Sequence, residues 1–200
     1  MDQTPRYDYV LIGAGIMSAT YGVYLKLLNP ELSIAVVERL EGPALESSDV
    51  WNNAGTGHAA LCELNYMPDS SDGSIPSAAK AIDINEQFVM SRQLWAYFVE
   101  QGILGDPKSF INSVPHMTFV RGVKDVDYLR RRHRALKDQP LFEGMEYSED
   151  FSKIKQWTPL LIEGREDEVI AATKIDSGTD VDYGEMTRQM ISWLQENGVE

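Results

Sequence analysis

Hydrophobic positions at the start of the chain follow a strand–helix–strand order. The segment YVLI at 9–12 is short, apolar and rich in branched residues, which predicts a buried strand. The next apolar-periodic segment predicts a helix through about Leu28, which ends before Pro30 because a proline disfavours helix at the residue preceding it. SIAVVE at 33–38 predicts a second buried strand. Together these segments predict a βαβ unit.

A long amphipathic segment, DINEQFVMSRQLWAYFVEQG, occupies 83–102. Its periodicity predicts a helix with Asp83 as the N-cap residue, because an acid three positions later completes the spacing of a capping box. Phe88, Trp95 and Phe98 fall on one side of this helix, and we interpret that side as core.

The remaining elements do not continue the strand–helix alternation. The patterns predict a strand at 116–120, a helix at 125–138, a short helix and turn within 149–165, and a strand, a loop and a helix within 169–200. In that last segment Asp182 and Glu185 have capping-box spacing.

Basic residues cluster in the helix predicted at 125–138. Arginines occupy 130–132 and 134. We interpret this cluster, with His133, as a solvated face, and contact with anionic lipid headgroups is the alternative.

The turn after the first strand carries a glycine pattern. Gly13, Gly15 and Ser18 occupy the three small positions of G-x-G-x-x-G/A. The first glycine permits the tight turn, the second lets backbone approach a pyrophosphate, and the third small residue allows the helix to pack on the strand. Glu38, at the end of the second strand, is placed to accept hydrogen bonds from a ribose hydroxyl. These features predict a dinucleotide site at the helix N-terminus.

The identity of the dinucleotide stays open on these residues alone. Arg39, directly after Glu38, is compatible with the 2′-phosphate of NADP and equally with the face of an adenine ring. The segment at 46–66 combines short hydroxyl and amide side chains with two glycines, which suits a polar ring edge or a phosphate. A plain surface loop is the alternative for this segment.

Composition and charge exclude several classes of function. The formal net charge is −13 and the sequence pI about 4.6, which argues against a nucleic-acid binder because phosphates require clustered Lys and Arg. The single cysteine, Cys62, builds neither a disulfide framework nor a zinc site, and we interpret it as an inert packed thiol in a reducing compartment. The opening segment lacks signal-peptide features, and no run of about 20 apolar residues predicts a membrane span.

Four blocks of the chain resemble one enzyme family. They are LIGAGIMSAT, VERLEGPALESSDVWNNAGTGHAALCELNY, FINSVPHMTFV and GTDVDYGEMTRQ. They closely resemble FAD-dependent malate:quinone oxidoreductases from about Tyr7 to the end of the chain. The block from ESS to ELNY is the most specific of the four. Because the resemblance implies a considerably longer enzyme, we expect this chain to be an N-terminal portion.

The resemblance implies an α/β fold, with a Rossmann-like FAD-binding βαβ unit and part of a second, α+β substrate or cap domain. We expect the FAD-binding βαβ unit and flavin loop at 1–66, the partial substrate or cap region at 67–180, and a helix returning to the FAD-binding domain at 181–200. The resemblance also implies oxidation of L-malate to oxaloacetate, with FAD as the cofactor and a membrane quinone as the electron acceptor. We expect a cytoplasmic protein attached peripherally to the inner face of the cell membrane.

The cofactor residues follow from the turn and from the resemblance. We predict that the pyrophosphate is surrounded by Gly13, Gly15, Ile16, Met17 and Ser18, that the adenosine ribose is held by Glu38 with Arg39 beside it, and that the flavin path is lined by Ser47, Ser48, Asn53, Ala54, Gly55, Thr56 and His58.

The catalytic residues are less constrained. A base must take the substrate hydroxyl proton, and histidine has a suitable pKa, so His58 and His116 are candidates. Arg92 is a candidate for holding the carboxylates of malate. The alternative is that the base and the carboxylate clamp lie beyond residue 200.

Other functions remain open at this point. A flavin enzyme for another 2-hydroxy acid, such as a 2-hydroxyglutarate oxidase, would share the turn and differ in the clamp. A non-catalytic dinucleotide-binding module would bind FAD or NAD without turnover. An NAD(P)-dependent dehydrogenase would bind nicotinamide without a tightly held flavin. For the aromatic side of the helix predicted at 83–102, which we interpret as core, the alternative is a surface that docks the quinone.

Overall fold

The computed structural model of the chain describes residues 5–70 and 72–200. The strands in this part of the chain are β1 (Tyr9–Ile12), β2 (Ile34–Val37), β3 (Ile111–Ser113), β4 (His116–Arg121), β5 (Glu146–Ser148), β6 (Ile170–Ile175) and β7 (Thr179–Val181). The helices are α1 (Ile16–Leu28), α2 (Ala79–Glu100), α3 (Val123–Leu136), α4 (Phe151–Trp157), α5 (Pro159–Ile162) and α6 (Tyr183–Glu196). The predicted mixed α/β fold is therefore confirmed.

The chain forms two compact units. The first comprises the described residues up to Thr56 together with 93–112 and 180–200, and the second comprises 57–92 and 113–179. The helix expected to return to the βαβ unit lies in the first unit. The predicted domain boundaries remain a prediction.

In the first unit, β1 and β2 pair in parallel, with Tyr9 opposite Ile34 and Ile12 opposite Val37. α1 connects them, so the predicted βαβ unit is confirmed. The expectation that the first strand is buried is wrong for most of its length. Leu11 is buried, whereas 52% of Val10 and 79% of Ile12 are exposed. Successive side chains of a strand point to opposite faces, so only one face of β1 is covered in this unit.

The last residue, Glu200, extends this sheet on the outer edge of β2. Its N–H donates to the carbonyl of Ile34 at 3.1 Å, and its carbonyl accepts from the N–H of Val36 at 2.7 Å. This alternation is the hydrogen-bond pattern of parallel pairing. β2 therefore has backbone partners on both sides.

α1 and α6 pack together over the core of the first unit. Leu11, Val23, Phe98, Met190 and Leu194 belong to that core. The N-cap prediction for α6 is confirmed, because Oδ1 of Asp182 accepts from the N–H of Glu185 at 2.8 Å. The other half of the capping box does not form, since the carboxylate of Glu185 bonds to Arg188 and Gln189 instead.

In the second unit, β6 lies between β4 and β5 in an antiparallel sheet. Ala171 on β6 joins a cluster with Val120 and Leu129, on the side of the sheet that α3 covers. Its neighbour Ala172 joins a second cluster with Ile154 of α4. Because adjacent residues of β6 meet different clusters, both faces of this strand are buried, which explains its apolar sequence.

Helix α2 begins four residues before its predicted start. Asp83 is therefore not an N-cap, and it lies inside the helix, where its carboxylate accepts from the side-chain amide of Gln87 at 3.1 Å. The interpretation of the aromatic side as core is confirmed for Phe88 and Phe98, which are both buried.

The interpretation of the arginine cluster as a solvated face is wrong. Arg131 is paired with Asp69 and Asp127, at 2.8 and 2.9 Å. Arg132 is fully buried. Only Arg134 of the cluster is exposed.

His133 of the same helix is not solvent-facing. Its Nε2 lies 3.1 Å from the carbonyl oxygen of Met145. Its ring stacks on that of Tyr147, with centroids 5.5 Å apart. Because α3 packs on the sheet, some of the polar side chains of this helix, including His133, lie inside the unit.

None of the helices in the described part of the chain combines the length and the apolar character that a bilayer crossing requires.

The cap of α6 gives a stability prediction. We expect Asp182→Ala to lower the free energy of unfolding by about 1 kcal/mol, because a helix N-terminal N–H loses its acceptor. Asp167→Ala, at an exposed turn, is the matched control and should change it by less than about 0.5 kcal/mol. Urea unfolding followed by circular dichroism measures both. Equal effects of the two substitutions would contradict the cap.

Candidate functional site

The glycine turn joins the end of β1 to the start of α1. Gly13 has a φ of +87°, a conformation that an L side chain rarely adopts, and its N–H donates to the carbonyl of Val37 at 2.7 Å. Gly15 is the N-cap residue of α1, and no side chain of its own caps the helix. The first N–H groups of α1 have no carbonyl inside the helix to donate to, as at anion-binding helix ends.

Ser48 is the residue that meets the helix end. It is buried, and its Oγ accepts from the N–H of Ile16 at 3.0 Å. A Cβ at Gly15 would lie 3.3 Å from the same Oγ. The second glycine thus leaves room for Ser48 and for close approach to the backbone.

Glu38 lies on the other side of the turn. Its Oε2 accepts from the N–H of Ala14 at 2.7 Å, and its Oε1 accepts from the N–H of Leu40 at 2.9 Å. The hydrogen bond from Ala14, and after it the bond from Leu40, holds the pKa of Glu38 below its ordinary value. The side chain is therefore a carboxylate at neutral pH. A carboxylate has about four acceptor positions, and two of them remain for a ligand hydroxyl.

These groups surround a cavity of about 230 Å³. Of the predicted cofactor residues, Gly13, Gly15, Ile16, Met17, Ser18, Glu38, Ser47 and Ser48 line it. Ile12, Ala44, Leu45 and Glu46 line it as well, and the sequence analysis missed them. The sequence carried no signal for the turn that positions them: Ala44 has a φ of +61° and its N–H donates to the carbonyl of Ala14 at 3.0 Å, and an alanine does not predict that conformation.

The loop after the cavity is held by its own side chains. Nδ2 of Asn53 donates to the carbonyls of Ser47 and Asp49, at 3.1 and 2.8 Å, and its Oδ1 accepts from the N–H of Gly55 at 2.9 Å. Nδ2 of Asn52 donates to the carbonyl of Glu46 at 2.9 Å. The side chain of Asn53 therefore shapes the loop, and its predicted contact with the flavin stays a prediction.

Four other predicted cofactor residues do not line this cavity. Arg39 is exposed and paired with Glu46 at 2.7 Å. Ala54 is exposed, and Gly55 and Thr56 pair with the Asp180–Val181 segment. Their roles beside a cofactor remain predictions.

The three remaining candidates lie in the second unit. His58 is exposed, with Nδ1 3.8 Å from Oε1 of Glu63. His116 is half-buried on β4, and its Nε2 lies 3.1 Å from the carbonyl oxygen of Thr179. Arg92 is exposed on α2.

The segment that follows His58 is anchored by residues that the sequence analysis did not identify. Arg132 donates to the carbonyls of Ala60 and Leu61, at 3.0 to 3.3 Å. Tyr128, one turn earlier on α3, donates to the carbonyl of Met67 at 2.5 Å. Side chains four residues apart share one helix face, so α3 holds this segment at two points.

Cys62 lies within the segment that follows His58, and both Cys62 and Arg132 are buried. Burial lowers the pKa of Arg132, although a guanidinium stays cationic in proteins. Burial raises the pKa of Cys62, whose Sγ lies 3.9 Å from Oγ1 of Thr173. A thiol with a raised pKa is a poor nucleophile, so the interpretation of Cys62 as an inert packed residue is supported.

The site at the glycine turn has the chemistry of a dinucleotide site. It combines helix N–H groups for phosphate oxygens, a carboxylate for a hydroxyl and a short loop with serine hydroxyls. Within residues 5–70 and 72–200, no group of three or more His, Cys, Asp or Glu side chains is arranged to hold a metal ion.

Several solved structures share the fold of this chain. An L-α-glycerophosphate oxidase from Mycoplasma pneumoniae, solved with FAD bound, is 15% identical with a TM-score of 0.66, over 97% of this chain and 44% of that one. A glycine oxidase from Geobacillus kaustophilus is also 15% identical with a TM-score of 0.66, over 98% and 46%. An iminodiacetate oxidase from Chelativorans sp. BNC1 is 15% identical with a TM-score of 0.59, over 96% and 45%. At these identities the likeness shows the fold, and the chain spans less than half the length of these proteins.

The sequence itself matches a family over nearly all of its length. Residues 5–200 match malate:quinone oxidoreductase (Mqo). The family and the fold together confirm FAD as the predicted cofactor. The chain belongs to the malate:quinone oxidoreductase family.

Proposed function

We propose that the protein carries out FAD-dependent oxidation of L-malate to oxaloacetate and passes the electrons to a membrane quinone. The observation that carries this proposal is the cavity at the N-terminus of α1, with Glu38 at its edge, in a chain of this family. Malate loses two electrons and two protons in the overall reaction, and the quinone takes up both to become a quinol.

Different residues of the cavity would bind different parts of the cofactor. The N–H groups at the start of α1 and the backbone at Gly13 and Gly15 would bind the pyrophosphate. The carboxylate of Glu38 would accept from the adenosine ribose through the positions that Ala14 and Leu40 leave free. Bound FAD supplies the hydride acceptor and holds two electrons.

His116 has the better geometry of the two candidate bases. A carbonyl oxygen only accepts hydrogen bonds, so the bond to Thr179 places the hydrogen of a neutral imidazole on Nε2. Nδ1 then carries the lone pair that takes a proton from a substrate hydroxyl. A Cβ at Gly178 would lie 2.3 Å from a carbon of this ring, so the glycine allows the ring to occupy its position. We propose His116 as the base.

His58 suits a supporting role. When it is protonated, its Nδ1 is within ion-pair distance of Glu63. The Nδ1 side of the ring therefore already faces a carboxylate, which would repel an anionic substrate. Arg92 is the proposed partner for a malate carboxylate, because a dianionic substrate needs local cations in a chain of net charge −13.

The first experiment is a visible absorption spectrum of the full-length protein, incubated with FAD, desalted, and mixed anaerobically with L-malate or with 2-hydroxyglutarate. We expect a retained flavin band that bleaches with malate. Bleaching only with 2-hydroxyglutarate would support the other hydroxy-acid oxidase. A band that neither acid bleaches would contradict both, and a colourless protein would contradict the cofactor site.

Two histidine variants test the base in the same protein. We expect His116→Gln to lower the rate of flavin reduction by malate by about 10²- to 10⁴-fold, because the hydroxyl proton loses its acceptor. His58→Gln is the matched control and should change the rate by less than about 10-fold. Both variants should retain the flavin band. The reverse order of the two effects, measured by anaerobic stopped flow, would assign the base to His58.

The second glycine of the turn tests the cofactor site. We expect Gly15→Val to weaken FAD binding by about 10- to 100-fold, since overpacking beside Ser48 costs about 1–3 kcal/mol. Gly105→Val, where a Cβ would meet only Oε1 of Gln189 at 3.7 Å, is the control. Equilibrium dialysis of the deflavinated full-length variants gives both affinities. Undiminished binding by Gly15→Val would place the pyrophosphate elsewhere.

A further inference from the structure

A groove in the second unit is lined by residues that do not line the cofactor cavity and have no role in the proposed proton transfer. It has a volume of about 490 Å³, and its walls are α2 and the turn that begins at Pro140. The lining residues are Ile82, Glu86, Val89 and Met90 of α2, with Gln139, Pro140 and Leu141 opposite. The volume and the largely apolar lining are those of a small-molecule site.

The two walls of the groove are fixed to each other. Asn85 is buried on α2, and its Nδ2 donates to the carbonyl of Leu141 at 3.3 Å. The turn is held by bonds from Phe142 to Gln139 and from Glu143 to Pro140, at 2.9 and 3.3 Å. Phe142 is fully buried and fastens the turn to the unit. The groove is therefore preformed, and binding need not order it.

The apolar lining of the groove is open to solvent on the helix side. Met90 is 67% exposed, while Ile82 and Val89 are half-buried. Ile82, Val89 and Met90 form a stripe on one face of α2, distinct from the buried Phe88. Methionine side chains adapt to planar apolar ligands.

The polar groups of the groove select among apolar ligands. Glu86 is an exposed acid at the groove, and it would repel a fatty-acid carboxylate or an anionic headgroup. A neutral ligand avoids this repulsion. The side-chain amide of Gln139 offers N–H donors to a carbonyl oxygen.

We infer that this groove binds the quinone acceptor, with ring and first isoprenoid units against Val89, Met90 and Leu141 and a ring carbonyl toward Gln139. A quinone is neutral, planar and apolar, and its two carbonyls accept hydrogen bonds. This inference rests on the proposed function, because that function supplies the quinone. Quinone docking was the alternative interpretation of the aromatic side of α2, and the groove uses another face of the same helix.

The test compares two methionine-to-tryptophan variants of the full-length protein. Met90→Trp fills the groove, and Met117→Trp places the same side chain at a 43% exposed position of β4 outside it. We expect Met90→Trp to raise the KM for a short-chain ubiquinone by about 10-fold or more, because overpacking costs about 1–3 kcal/mol. Flavin reduction by malate should be unchanged in both variants, and Met117→Trp should keep the wild-type KM.

A direct binding measurement separates this inference from the proposed function. Equilibrium dialysis of the same quinone against the oxidised proteins should show weaker binding by Met90→Trp alone. Wild-type quinone binding by Met90→Trp would overturn the groove assignment, whether or not malate reduces the flavin. A protein that malate does not reduce, but whose quinone binding is weakened by Met90→Trp, would overturn the proposed function and keep the groove.

A second variant covers the case in which tryptophan disturbs the fold. Leu141→Ala removes apolar contact but keeps the carbonyl that accepts from Asn85. We expect a several-fold loss of quinone affinity, which shrinks when the quinone lacks its isoprenoid tail, because the apolar contact that Leu141 loses is with the tail. An equal loss for tailed and tailless quinones would overturn the placement of the tail.

Discussion

Hydrogen bonds between the end of β2 and the glycine turn organise the first unit. The N–H of Gly13 donates to the carbonyl of Val37, and the N–H of Ala14 donates to the carboxylate of Glu38. Because parallel strands end at the same edge of a sheet, these two bonds bring the start of α1, the acid and the turn together. The cavity, the positive end of the helix dipole and the negative charge of Glu38 all depend on this arrangement.

The second unit depends on a different kind of contact. Arg132 is a buried cation whose described hydrogen bonds all go to carbonyl oxygens, those of Ala60 and Leu61. Its Nε has no hydrogen-bond partner in the described part of the chain. Carbonyl dipoles then compensate the charge, and such an arrangement tolerates little displacement of the segment after His58. Position 132 thus serves loop geometry more than surface charge.

The sequence predicted the elements that have an uninterrupted apolar run, a helical period, or a proline or capping residue at one end. The bounds of β1, α1 and β2 followed from apolar runs and a proline, and the cap of α6 followed from Asp182. β5 was not predicted, because three residues are too few to show a period of two. The start of α2 was misplaced because Asp83 and Glu86 have capping-box spacing inside a helix.

The candidate site was predictable where backbone geometry dictates residue type. The turn requires Gly13 and Gly15, and Glu38 is marked by its position at the end of the second strand, so a single sequence suffices to find them. Arg132 was missed because a run of arginines is usually solvated. Its spacing from Leu129 and Leu136 places it in the apolar stripe of α3, and that position was the available signal. The identity of the cofactor came from family resemblance, since the turn itself does not distinguish FAD from NAD.

The loop from Glu46 to Gly55 has a consequence for the speed of cofactor capture. The side-chain amides of Asn52 and Asn53 donate hydrogen bonds to backbone carbonyls of this loop. The side chain of Asp49 accepts from the N–H of Trp51 at 2.9 Å. A loop held by its own side chains loses little conformational entropy when a ligand arrives. Association with the dinucleotide would then be limited by diffusion and orientation, and a cofactor once lost could be recaptured without refolding of the loop.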